Sequence, residues 1–207
     1  MKTLPFTGTI VSTRIMKNSL CRLALTGVVG TNLLCAAQSY IIVDTSQTNC
    51  YNDTTVMTAP AAVQPFYGQD AQLYGNQPGY RNNGDGTISD LNTGLMWVQA
   101  RGAEVTWATA VANASTCTVG GYTDWRMPTM KELYSLVKFT GANGNSLTNS
   151  AGYIPFLDTN YFGFAYGGTS TTVGSRIIDA QDWSTNVYVS TVMGNQTGVF
   201  GYICLSL

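Results

Sequence analysis

Gly120-Gly121-Tyr122-Thr123-Asp124-Trp125-Arg126-Met127-Pro128-Thr129-Met130-Lys131-Glu132-Leu133 is the stretch that says most about how this chain folds. Thr129, followed three residues later by Glu132, is a capping box: the Thr side chain accepts from the Glu132 amide, and the Glu carboxylate reaches back to the Thr129 amide. Leu133, Leu136 and Val137 then recur at helical spacing, so a helix begins after Pro128 and turns its apolar stripe to the core. Arg126, between Trp125 and Pro128, lies in a turn expected to be buried. It therefore needs a nearby acid or backbone carbonyl.

Working outward, a second helix is expected at about Trp107 to Ala114, Ala-rich and with Thr106 as N-cap. Further upstream, Arg81-Asn82-Asn83-Gly84-Asp85-Gly86-Thr87 concentrates turn formers ahead of Ile88-Ser89-Asp90. After Asn92-Thr93-Gly94 comes Leu95-Met96-Trp97-Val98. Asn-Gly and Asp-Gly supply the positive φ of tight turns, so these segments read as two short strands. Downstream of Phe139 the chain is rich in Gly, Asn, Ser and Thr through Ser175, before β-leaning segments at Asn186 to Val192 and Gly198 to Leu205. The class is α+β, with two helices, small antiparallel sheets and a long loop region.

The 207 residues hold one domain of ordinary size plus what precedes it. Only 10% are charged and 44% are hydrophobic, which excludes disorder and disfavours a long-helix protein. Lys17 and Arg22 precede an apolar run, Leu23 to Leu34, and then Cys35-Ala36-Ala37, the arrangement of a secretory signal with small residues at the cleavage site. The run is too short and too polar for a permanent membrane anchor. A start at Met16 would give the leader ordinary proportions. Leu34 disfavours lipidation of Cys35. Residues 1–37 are thus read as a signal peptide, 38–65 as an extended N-terminal arm with a short strand at Ile41 to Val43, and 66–207 as the domain. An exported protein at the cell surface, in the periplasm or secreted is expected.

Past Ala37, six basic residues (Arg81, Arg101, Arg126, Lys131, Lys138, Arg176) face all eleven acids, a net charge of 6 − 11 = −5. That balance weighs against nucleic acid or sulfated polysaccharide as partners. Three cysteines remain there, Cys50, Cys117 and Cys204. An odd number in an oxidising compartment implies one disulfide and one free thiol, or an intermolecular bridge.

No His occurs, and no Gly-x-Ser-x-Gly, phosphate loop or Cys-x-x-Cys, so no catalytic, cofactor-binding or metal-binding residue is assigned. Asp179 and Asp182 are close in sequence, but two acids in a polar loop are ordinarily solvated rather than catalytic. Asn83, Asp85 and Asp90 lack the terminal bidentate Glu of a calcium loop and read as turn residues. Trp97, Trp107, Trp125 and Trp183 could stack on sugars, but each lies in or beside an expected element, and a core role is expected above all for Trp97, Trp125 and Trp183.

Four blocks together carry a resemblance. They are Phe66-Tyr67-Gly68-Gln69-Asp70-Ala71; Asn83-Gly84-Asp85-Gly86-Thr87 with Thr93-Gly94-Leu95-Met96-Trp97; Gly120 to Thr129 with Lys131-Glu132-Leu133; and Trp183-Ser184-Thr185. In order and spacing they resemble the bacterial Lcl C-terminal domain family, named after the C-terminal domain of the Legionella collagen-like adhesin. The resemblance implies a C-type-lectin-like fold and a role in surface adhesion or ligand binding, glycans included, often within oligomers. It also implies a bond from Cys117, just after the first helix, to Cys204 in the final strand, with Cys50 free; the alternative is no intramolecular disulfide. That bond would be worth about 4 to 5 kcal/mol in the chain-entropy model.

Three departures from the family stand out. Ala59 replaces a cysteine that often follows the one matched by Cys50. The acidic balance differs from the basic surface of sulfated-glycan binders. Tyr202-Ile203-Cys204-Leu205 arrives where a further Gly-Arg strand is usual, so the domain is truncated or shortened there. No Glu-Pro-Asn or Gln-Pro-Asp triplet supports calcium-dependent sugar binding.

Three readings follow: a non-catalytic binding module presenting loops at about Gly141 to Asp182 to a glycan or protein, a structural envelope protein without a small ligand, and an enzyme related to formylglycine-generating proteins. The paired active-site cysteines of those enzymes have no counterpart here. The first reading is preferred, with homo-oligomers allowed and the ligand unassigned.

Overall fold

The structure is a computed structural model that describes residues 8–9, 13–15, 41–103, 105–144, 149–167, 177, 180–187 and 200–204. In chain order the elements are β1 (Gly8–Thr9), β2 (Thr13–Ile15), β3 (Cys50–Tyr51), β4 (Val56–Met57), β5 (Tyr80–Asn82), β6 (Thr87–Asp90), β7 (Leu95–Val98), α1 (Trp107–Thr116), α2 (Met130–Tyr134), β8 (Gln181–Val187) and β9 (Phe200–Cys204). Short 3-10 turns lie at Asp70–Gln72 and Val119–Gly121. Two helices with small, mainly antiparallel sheets make this an α+β fold.

The centre is the meander β5-β6-β7, continued by β2 at the edge of β7. Asn82-Asn83-Gly84-Asp85-Gly86 turns the chain because Gly84 and Gly86 adopt φ of 80° and 85°, and Asp85 Oδ1 accepts from the Thr87 amide at 3.0 Å. Ile88 then stands opposite Trp97 in register, both at 0% exposure. Around this pair pack Leu95, Leu133, Leu136, Leu157 and Phe162, so strand, helix and loop residues share one core. A second cluster joins Ala110 and Ala114 of α1 to Met127 and Trp183.

α2 begins where the capping box places it. The Thr129 hydroxyl accepts from the Glu132 amide at 3.2 Å, and the Thr129 amide donates to Glu132 Oε2 at 2.7 Å. The regular helix is short, because from Ser135 onward amides bond to the third residue back (Leu136 to Leu133, Val137 to Tyr134). Thr129→Ala should cost about 1 kcal/mol, read from the urea midpoint. No loss would mean that the cap is dispensable. α1 likewise carries Thr106 as its cap, accepting from the Thr109 amide, and extends to Thr116.

Elsewhere the structure departs from the sequence reading. Arg81 and Asn82, read among the turn formers, belong with Tyr80 to the strand β5. β8 begins at Gln181, five residues before the expected Asn186, and buries Gln181 through Ser184. Residues 188–192 lie outside the described residues. β1 runs parallel to β8 (Gly8 opposite Gln181), and β2 runs antiparallel to β7 (Thr13 opposite Trp97). Both come from the stretch read as leader, so the full chain and a chain cut after Ala37 differ by two edge strands.

The expected extended arm is instead a folded lobe from residue 41 onward. β3 and β4 form a hairpin, and Asn52 Oδ1 accepts from the Thr54 and Thr55 amides at 2.9 and 2.7 Å across its turn. The Gln69 amide clasps Tyr51 on both sides, accepting from its N–H at 2.8 Å and donating to its carbonyl at 2.7 Å. Asp44 accepts from the amides of Ser46 and Gly75 at 2.8 and 2.7 Å, and those bonds hold its carboxyl below the usual range. Val43 makes one isolated bridge, to Asn76, rather than a strand.

The expected Cys117–Cys204 bond is not formed. Cys117 follows α1 with a half-buried free thiol, and Cys50 is buried and free. The end of the chain is tied instead by backbone pairing, with Cys204 opposite Gln181 in β8. Cys117→Ser should therefore leave the urea midpoint within about 1 kcal/mol of the parent, not the 4 to 5 kcal/mol of a lost crosslink.

Candidate functional site

Trp97, Trp125 and Trp183 are 0%, 4% and 9% exposed, which removes all three as stacking platforms. The Trp125 indole donates to the Val119 carbonyl at 3.1 Å, and the Trp183 indole to Val105 at 3.0 Å. Trp107 is likewise engaged, its indole donating to the Ser184 carbonyl at 3.0 Å.

Arg126 finds both partners that its position calls for. Its guanidinium forks onto Glu132, at 2.9 Å to Oε2 and 2.5 Å to Oε1, and donates to the Met127 carbonyl at 3.1 Å. Burial would push the Glu132 carboxyl up. The Arg126 hydrogen bonds, the Thr129 amide and the Arg126 charge outweigh that and hold it below its ordinary value. The group fixes the turn Trp125 to Thr129 against α2, and is structural.

The Asp-Gly turn is likewise self-contained. Asn83 donates to the hydroxyls of Thr87 and Ser89, both at 2.9 Å, and Asp90 Oδ1 accepts from the Asn92 and Thr93 amides. Each acid caps its own turn, and no cluster of three metal-ligating side chains occurs among the described residues.

A second ion pair, which the sequence reading missed, lies where the loops meet β8. Asp182, expected in a solvated loop, is fully buried in the strand. Arg101 Nη2 is 3.2 Å from Asp182 Oδ1 and donates at 3.3 Å to the Gln181 carbonyl. Asp182 Oδ2 has no partner among the described residues. Burial raises the Asp182 carboxyl to about 6, with the Arg101 charge and hydrogen bond offsetting only part of that cost. Asp179 lies outside the described residues. No pattern flagged Arg101, because its partner is 81 positions away.

The same guanidinium sits 5.6 Å from the Phe164 ring centroid. Phe164 meets Tyr166 edge-on at 4.9 Å, and Tyr166 meets Tyr153 at 5.7 Å. Burial, then the neighbouring Tyr153, raises the Tyr166 phenol. The loop of the expected binding region is thus pinned at several points. Leu157 and Phe162 enter the core, the Gly163 amide bonds the Gln99 carbonyl at 2.9 Å, and the Gly167 amide bonds Ile177 at 2.9 Å. Residues 145–148, 168–176 and 178–179 of that region lie outside the described residues.

The family model for the Lcl C-terminal domain matches residues 86–199, from the meander turn through the loops and β8. The chain belongs to the Lcl C-terminal domain family. No curated protein and no solved structure matches it. Within this Lcl C-terminal domain the matched segment carries the Arg126–Glu132 junction, the Arg101–Asp182 pair and the pinned loop. The lobe at residues 41–77 lies outside the match.

Proposed function

We propose that this Lcl C-terminal domain protein is an exported surface or envelope binding module, in the manner of an adhesin, that engages a glycan or protein ligand without catalysing a reaction. Family membership over more than half the chain carries the reading. The geometry supports it through the loop after α2, which is anchored at Leu157, Phe162, Gly163 and Gly167 and runs irregularly between those anchors. Irregular loops on a fixed scaffold present side chains at little ordering cost when a ligand arrives. The acidic balance past Ala37 favours neutral or cationic ligands over nucleic acid. Among the described residues no helix is long and apolar enough to cross a membrane.

Probing the full chain on an array of neutral and charged glycans, with and without calcium, tests this. Saturable binding to a defined glycan class is expected, unchanged by chelation. A folded chain that retains nothing on the array and captures no protein from a cell surface would leave only the structural-protein reading.

A further inference from the structure

We propose that Tyr51, Phe66 and Tyr67 form a stacking platform for the apolar face of a neutral sugar ring, on the lobe outside the family match. The proposal rests on the binding reading above and gives it a place and a ligand class. The three side chains are 41%, 43% and 56% exposed, in a chain whose tryptophans at 97, 125 and 183 are buried. The Gln69 Nε2 donates both to the Tyr51 carbonyl at 2.7 Å and to the Phe66 carbonyl at 2.9 Å, so one amide group fixes the two backbones side by side. Tyr67 follows Phe66 directly, and its amide bonds the Gln64 carbonyl.

The local backbone is strained in a way that gains no burial. Val63 and Phe66 hold φ of 67° and 66°, the left-handed region that β-branched and bulky residues avoid, and Val63 is 96% exposed. A turn selected only for folding would carry Gly or Asn there. Strain maintained beneath an exposed apolar face is the usual companion of a binding surface.

The chemistry favours a neutral sugar. Between Gln38 and Tyr80 there is no Lys or Arg, so the lobe itself offers a sulfated or phosphorylated ligand no counter-charge, whereas Asp53, two residues along the chain from Tyr51, adds an acceptor for sugar hydroxyls. The phenols of Tyr51 and Tyr67 make no hydrogen bond among the described residues. Rigid aromatic side chains with one polar tip offer a flat apolar face and a hydroxyl partner at low entropic cost.

The test is calorimetric titration of the full chain with cellohexaose, laminarihexaose and chitohexaose. At least one of these neutral oligosaccharides should bind, and Tyr51→Ala and Tyr67→Ala should each weaken it by about fivefold or more. Val63→Asn should bind as the parent does while its Tm rises, because Asn tolerates the left-handed backbone. Near-UV circular dichroism from the buried tryptophans checks that each variant folds. Absence of binding to all three oligosaccharides overturns the proposal. So does unchanged binding by the double tyrosine variant, which would move the ligand to the loops and leave the binding reading intact. A change in sedimentation mass in place of a change in sugar affinity would make this face a protein contact.

Discussion

Arg101→Met should destabilise the protein by about 3 to 5 kcal/mol at pH 7.5, because it leaves the Asp182 carboxylate buried without its cation. The Asp182 side chain is 0% exposed and its Oδ2 already lacks a partner, so Arg101 supplies the compensating charge. The same pair gives the parent protein an unusual pH dependence. With its carboxyl raised from 3.8 to about 6, folded Asp182 holds a proton that the unfolded chain has released between those values. Stability therefore falls as pH rises through that window, by up to about 3 kcal/mol. Glu132, held below its ordinary value, has the opposite sign, and its contribution is lost as pH drops below the usual carboxylate range. Maximum stability should therefore lie near about pH 4 to 4.5, where Glu132 is largely ionised and folded Asp182 still holds its proton. In the Arg101→Met variant the deficit should shrink on acidification, since a protonated Asp182 needs no cation. Urea unfolding from pH 4 to 8 reads both curves, and a parent protein steadily more stable up to pH 8 would contradict the assignment.

Trp97→Ala should cost a comparable amount, about 3 to 5 kcal/mol. Trp97 is fully buried opposite Ile88 and packs in the cluster that joins the meander to Leu133, Leu136, Leu157 and Phe162. A cavity of that size at the junction of strand, helix and loop cannot be closed by moving one element. Its indole Nε1 has no partner among the described residues, so Trp97→Phe should lose much less, under about 1.5 kcal/mol. Thermal unfolding of the two variants separates shape from polarity, and equal losses would mean that the indole N–H is satisfied after all.

The parts of the fold legible in sequence were those specified within a few residues. Thr129 and Glu132 announce their helix because the capping box closes over four positions, and Asn83 to Gly86 announce a turn because two glycines supply positive φ. The family blocks extended that reading to the whole of the matched segment. β8 was misplaced because its first residues, Gln181 and Asp182, are polar yet buried, so neither alternation nor an apolar run marks them. Residues 38–65 read as an arm because the order of the described part, from residue 41, comes from side-chain amides of Asn52, Gln69 and Gln72 bonding backbone groups, which leaves no periodicity to detect. Arg101 and Asp182 are unreadable as a pair because 81 positions separate them along the chain.

The central claim, a binding module built on an Lcl C-terminal domain, is tested most directly by the glycan array on the folded full chain. The account predicts saturable binding to neutral glycans that persists when calcium is chelated and is weakened by Tyr51→Ala and Tyr67→Ala. Binding confined to sulfated glycans would contradict the neutral-ligand assignment, and no binding across the array together with no protein captured from a cell surface would contradict the binding module itself.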